Sequence, residues 1–210
     1  MLILFEGLDL SGKTTLCREI RRDLGWELRR NSLMPVGANP LYESAETARL
    51  NYSASDIEIG KLYLDALKWE LMNYEKSTIP VIQDSTILLR SFAYHTANGN
   101  EELASNFSEL IDSHPVPLIS FICKASPEKR IERLKGRIER GNDSNEDLLV
   151  RDAPSLFARM EQSIEEMATR VFNAEFIDTN HLEDPDERTK LVASVCLRIR
   201  NLVNFKKSEA

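Results

Sequence analysis

Short runs of consecutive apolar residues alternate along the chain with longer stretches in which apolar residues recur every third or fourth position. The runs at residues 2–5, 79–82, 118–123 and 174–177 have the length and continuity of strands buried on both faces, and 26–28 is a weaker fifth. The longer stretches predict helices. The first covers Lys13 to Leu24, with Gly25 placed to end it in a left-handed turn. A second starts at Ser55, where Ser55 and Glu58 have capping-box spacing, and its apolar stripe reads Ile59, Leu62, Ala66, Trp69 and Met72. Two more lie between Thr86 and Asp112. Another follows Ser126 with Pro127 at its first position, and another follows Asp152. The last opens at Asp184, with Pro185 next and Glu187 at box spacing. Residues 31–54 contain Pro35, Gly37 and Pro40 with weak periodicity and predict irregular structure, while the polar stretch from Gly141 to Asn145 predicts a mobile loop. Strands alternating with helices at these lengths specify an α/β fold with a parallel five-stranded sheet, in one domain over residues 1–210.

Composition narrows the partners. Hydrophobic residues make up 42% and charged residues 29%, enough for an ordinary core, and no apolar run approaches the ~20 residues of a membrane span. A net charge of −7 makes nucleic acid and anionic membrane surfaces poor partners. Cys17, Cys123 and Cys196 are widely spaced without a Cys-x-x-Cys, which argues against a zinc site or disulfide framework and for free thiols. His95, His114 and His181 are too scattered to form a metal-ligand pair and read as packing or surface residues. The opening residues turn acidic at Glu6 with no basic leader, so the expected location is cytoplasmic.

The chemistry starts at Gly7-Leu8-Asp9-Leu10-Ser11-Gly12-Lys13-Thr14, an instance of G-x-x-x-x-G-K-[ST] between the first strand and the first helix. Gly7 and Gly12 permit a loop whose backbone N–H groups, from Ser11 through Thr15, turn inward to cradle phosphates at a helix N-terminus. Lys13 brings a point charge to the β- and γ-phosphates of ATP, and the Thr14 hydroxyl is a Mg²⁺ ligand. Asp84 closes a strand at the edge where parallel sheets bind ligands. It either serves Mg²⁺ or caps the helix starting near Thr86. Arg130, Arg133, Arg137 and Arg140 step by three or four and line one helix face. They form either a solvated face paired with Glu128, Glu132 and Glu139, or a lid presenting arginines to a transferring phosphoryl group. Glu6 is a second carboxylate near the loop or a strand-end residue.

Phe5-Glu6-Gly7-Leu8-Asp9-Leu10-Ser11-Gly12-Lys13-Thr14-Thr15 resembles the opening of thymidylate kinases, whose usual form is F-E-G-x-D-G-x-G-K-T/S-T. Val81-Ile82-Gln83-Asp84, Ala93-Tyr94, Ser126-Pro127-Glu128 with its arginines, and Phe176-Ile177-Asp178 follow in the family's order over residues 1–180. Deoxynucleoside kinases share much of this plan. The resemblance implies a P-loop NTPase three-layer fold, strand order 2-3-1-4-5, and an arginine-rich helical lid at about residues 126–150. It also implies a homodimer and a role for Asp9 on the acceptor side. Because Leu8 to Ser11 include no basic residue, the resemblance places the catalytic arginine in the lid, with Arg133 and Arg137 as candidates.

Three departures concern the acceptor. Ser85 follows Asp84 where the family has arginine, the R-E-P-G-G segment is replaced by Arg29-Arg30-Asn31-Ser32, and Asp65 is followed by Ala66 rather than arginine. Arg29, Arg30, Arg49 and Arg90 are the available substitutes. Tyr63 is a candidate to stack on a base, and Trp69 reads as core. The expected reaction is Mg²⁺-dependent transfer of the γ-phosphoryl group of ATP to a nucleoside monophosphate. A nucleoside or another hydroxyl-bearing metabolite is the alternative acceptor, and a nucleotide-binding switch is the alternative class. No Asn-Lys-x-Asp occurs, which argues against a GTPase.

Overall fold

A computed structural model of the protein describes residues 1–208, so positions 209 and 210 of the expected domain lie outside the described residues. Strands β1 (Leu2–Glu6), β2 (Glu27–Arg30), β3 (Val81–Asp84), β4 (Ile119–Lys124) and β5 (Glu175–Asp178) form one sheet in the order β2-β3-β1-β4-β5. Every pairing is parallel. The sequence places each strand within two or three residues at its ends.

Helices cover both faces. Helix α1 (Lys13–Leu24) and helix α9 (Pro185–Ser208) pack on one face, where Ile3, Phe5, Ile82, Phe121 and Cys123 meet Leu16, Ile20 and Ile199. On the other face Leu4 and Ile122 meet α3 (Asp56–Asn73), α4 (Ile87–Ala97) and α8 (Pro154–Phe172). These two apolar layers remove both faces of the sheet from water, the arrangement that near-continuous apolar strands require. Gly25 ends α1 at φ 71°, as its position in the sequence predicts.

Four local expectations are corrected. Residues 31–54 contain a helix, α2 (Pro40–Leu50), started by the Asn39 side chain accepting from Tyr42 N at 3.1 Å, with Pro40 in the first turn. Its periodicity is weak because Ala45 is its one buried residue. Residues 141–144 form the expected loop, but Asn145, assigned to it, starts a helix the sequence did not predict, α7 (Asn145–Asp152), capped reciprocally by Ser144 and Asp147. On α3 the buried residues are Gly60, Leu64, Ala66, Leu67 and Glu70, whereas Met72 is 78% exposed and Trp69 is half-buried, so the apolar stripe is rotated from the expected one. Gly60 explains the rotation: a Cβ there would meet His95 Nε2 at 2.3 Å, so α3 approaches α4 (Ile87–Ala97) on its glycine side. At α9, Asp184 Oδ1 accepts from the backbone of Asp186 and Glu187, but Asp184 N bonds His181 O, so the box is half formed.

The remaining helices are α5 (Glu101–Ser108) and α6 (Pro127–Glu139), the latter with Ser126 as its cap. His114 lies beyond α5, buried against Phe172 at 5.2 Å, with Nδ1 on Pro115 O at 3.0 Å and Nε2 unpartnered. Burial pushes its pKa down to about 4. Between the ordinary value of about 6.5 and that value, the unfolded chain binds a proton that the folded chain does not. Stability is therefore full above pH 6.5 and falls as the pH drops toward 4, by an amount on the order of 3 kcal/mol. Urea titrations of His114→Gln across this window should show a shallower loss on acidification than the parent protein. An unchanged slope would refute the assignment.

Candidate active site

The loop between β1 and α1 is shaped by close approaches. Gly7 sits at φ 137°, and a Cβ there would meet Cys123 O at 2.6 Å. Gly12 sits at φ 81°, where a Cβ would meet Leu182 Cδ1 at 2.7 Å. Leu10 also holds a positive φ, 64°, although it carries a buried side chain. Thr179 Oγ1 donates to Ser11 O at 2.5 Å and fixes the loop from behind. The first N–H groups of α1 have no intrahelical acceptor by construction and open on the same side as the loop. Thr15 lies exposed on that first turn.

Lys13 is buried rather than exposed as a loop lysine would be. Its Nζ donates to Asp84 Oδ1 at 2.5 Å, and Thr14 Oγ1 donates to Asp84 Oδ2 at 2.7 Å. Burial pushes the Asp84 carboxyl up. The Lys13 ammonium and the two hydrogen bonds outweigh it and hold Asp84 below its ordinary value. The alternative role of Asp84 as a helix cap is eliminated, because Thr86 is the cap of α4 and accepts from Leu89 N at 3.1 Å. Both Asp84 oxygens face the loop. A hydroxyl and a carboxylate side by side are hard oxygen donors that suit Mg²⁺ completed by phosphates and water. No group of three or more His, Cys, Asp or Glu residues able to hold a metal exists among the described residues.

Within the loop itself, Asp9 Oδ2 accepts from Arg90 Nη2 at 2.8 Å. Burial raises the Asp9 carboxyl, but Arg90, helped by Lys13, overrides it and brings the value to about 2. Of the four substitute arginines, two are spent elsewhere. Arg29 binds Glu27 and Leu33 O, and Arg49 binds Glu46 and Glu146. Arg30 ends β2 in register with Asp84, is exposed, and its side chain has no hydrogen bond or ion pair among the described residues. Tyr63 donates its hydroxyl to Glu46 and packs 6.1 Å from Tyr42, so it braces α2 on α3.

The arginine stripe of α6 divides. Arg130 is buried on Glu161 and stacks over Phe157 at 4.9 Å. Arg133 donates to Leu10 O at 2.8 Å, Thr179 O at 2.5 Å and Glu183, tying the loop to the segment after β5. Arg137 pairs with Asp147 of α7, remains 38% exposed, and contributes to the field at Asp9. Neither reading of the stripe foresaw these partners: Glu161, Glu183 and Asp147 come from distant segments, not from the helix itself. Glu6, left open by sequence, is fully buried, and Oε1 accepts from Thr86 N at 2.7 Å.

No protein-family model and no curated protein matches the chain. Solved structures do. A deoxyadenosine kinase from M. mycoides, solved with dCMP and dCDP, aligns over 97% of this chain and 98% of its own at 22% identity and TM-score 0.57. A thymidylate kinase from Ehrlichia chaffeensis aligns over 97% and 98% at 17% identity and TM-score 0.59. One from Candida albicans aligns over 100% and 93% at 17% identity and TM-score 0.61. The chain has the P-loop α/β fold of these nucleoside and nucleotide kinases.

Proposed function

We propose that the protein transfers the γ-phosphoryl group of ATP, with Mg²⁺, to a nucleoside monophosphate. The observation that carries this reading is the pairing of Lys13 and Thr14 with Asp84, in the same charge cluster as the pair of Asp9 and Arg90. Lys13 would move from Asp84 to the β,γ-phosphates, and the first-turn N–H groups from Gly12 to Thr15 would cradle them. Thr14 and Asp84 would hold Mg²⁺, which bridges and neutralises phosphate oxygens. Arg137, which now pairs with Asp147, would serve as the lid arginine for the transferring group, with Arg133 bracing the loop.

Acid–base chemistry supports this acceptor over a nucleoside. A hydroxyl acceptor must lose a proton to a base. Asp9 already accepts from Arg90, and Glu6 is buried and bonded to Thr86, so neither carboxylate is free to take that proton. A phosphate monoester, with a second pKa near 6, arrives already ionised and needs cations instead. Arg30 is exposed and would supply one, and Arg90, which uses one N–H of its guanidinium on Asp9, would turn its others to the phosphate. The nucleoside reading is favoured by the likeness to a deoxyadenosine kinase. ADP release measured against a panel of nucleoside monophosphates, nucleosides and simple alcohols tests the two. Turnover with monophosphates supports the proposal, turnover confined to nucleosides or alcohols replaces it with the second reading, and nucleotide binding without turnover favours a switch.

On the donor side, Lys13→Met should lower kcat about 100-fold or more. It should also lower the melting temperature, because Asp84 is left buried without its countercharge. Arg137→Ala should lower kcat more than it raises the KM for ATP. Near-normal turnover in Lys13→Met would sink the assignment. On the acceptor side, Arg90→Ala should raise the KM for the monophosphate about tenfold, on the order of 1.4 kcal/mol, while leaving the KM for ATP within about twofold. Equal changes in both constants would count against Arg90 as an acceptor ligand.

A further inference from the structure

The fully buried Glu6 is not used by the chemistry above, yet it sits at the carboxyl end of the central strand, one residue before the phosphate loop. Its Oε1 accepts from both Thr86 N at 2.7 Å and Thr86 Oγ1 at 3.1 Å, while Oε2 has no partner. A buried carboxylate is costly, so its place needs a reason. Thr86 is the cap of α4, and Thr86 O accepts from Arg90 N at 3.2 Å, which makes Arg90 the end of the first helical turn. The same turn is held a second time, where Ile87 N bonds Asn31 O at 2.9 Å, next to Arg30. Ser85, between Asp84 and Thr86, takes a φ of 67°, so the chain turns sharply there and cannot by itself direct the helix.

We infer that Glu6 is a positioning residue: by bonding both donors of Thr86 it sets the start of α4 and so delivers the Arg90 guanidinium to Asp9. The ring is closed covalently, since Glu6, Gly7, Leu8 and Asp9 are consecutive, and the loop and α4 are registered by one carboxylate at each end. The role needs the reach and acceptor oxygen of Glu6, not its charge.

Two conservative variants separate reach from charge. Glu6→Gln keeps the length and the Oε1 acceptor but loses the charge. Glu6→Asp keeps the charge but withdraws the oxygen by about 1.5 Å, one carbon–carbon bond. Crystal structures should show Arg90 still on Asp9 in Glu6→Gln and out of hydrogen-bond reach in Glu6→Asp. If Glu6→Asp does not fold, Glu6→Val, which removes the acceptor oxygens and leaves the Thr86 cap of α4 untouched, takes its place with the same expectation. Kinetically, and resting on the acceptor reading above, Glu6→Asp should raise the acceptor KM about tenfold with the KM for ATP within about twofold, while Glu6→Gln stays within about threefold for both. Arg90 in place in Glu6→Asp, or displaced in Glu6→Gln, overturns the inference. A wild-type protein that phosphorylates no nucleoside or nucleotide overturns the functional reading alone, and the crystal structures then decide the inference by themselves.

Discussion

Lys13 and Asp84 lie 2.5 Å apart where almost no water reaches, and the rest of the site is arranged around that pair. Each charge would be expensive to bury alone, so neither segment can occupy its position without the other. The sheet order makes the meeting possible: β1, which leads into the loop, lies beside β3, which ends in Asp84, with Phe5 in register with Asp84. Thr14 adds its hydroxyl to the second Asp84 oxygen, so the pair is also hydrogen-bonded on both sides. Under the proposed function, a triphosphate would offer Lys13 a denser negative charge than one carboxylate and would free Asp84 toward a metal ion. Losing either partner would leave a buried charge unpaired, and under the proposed function the pair would hold both groups ready for one ligand.

A second layer of order surrounds that pair and consists of contacts to backbone carbonyls and caps. Arg133 spans Leu10 O and Thr179 O, Thr179 itself bonds Ser11 O, and Glu6 bonds Thr86. These contacts explain how Leu10 keeps a left-handed backbone that costs a side-chain-bearing residue on the order of 1 kcal/mol. Its side chain is buried among Leu8, Ala93 and Leu134, and its carbonyl is bonded, so the strain is offset on both sides of the peptide.

The strands, the phosphate loop and the capped helices were legible because they rest on local signals: continuous apolar runs, glycine spacing, and Ser-x-x-Glu or Ser-Pro starts. For Asp84 the sequence left two uses open at a strand end, and the structure removes one of them, since Thr86 caps α4. What sequence missed is governed by tertiary contact. Helix α2 buries little beyond Ala45 and so leaves no periodic trace, although Asn39-Pro40 was a usable start signal. The α3 stripe was misplaced because Gly60, not a large apolar residue, faces His95. The division of the α6 arginines depends on Glu161, Glu183 and Asp147, whose proximity no spacing rule reveals. Arg90 was named beside three other arginines, and the fold sets it apart from Arg29 and Arg49 by the place of its partner: Asp9 lies in the phosphate loop, whereas Glu27, Glu46 and Glu146 do not.

The central claim is that phosphates and Mg²⁺ bind where Lys13, Thr14 and Asp84 converge, and calorimetry of ATP binding with and without Mg²⁺ tests it directly. The wild-type protein should bind ATP about tenfold or more tightly with Mg²⁺ than without it. Asp84→Asn, which keeps an oxygen for Lys13 but loses the charge that would hold the metal, should bind ATP with an affinity that Mg²⁺ barely changes. A wild-type affinity indifferent to Mg²⁺, or a full Mg²⁺ response in Asp84→Asn, would contradict the account.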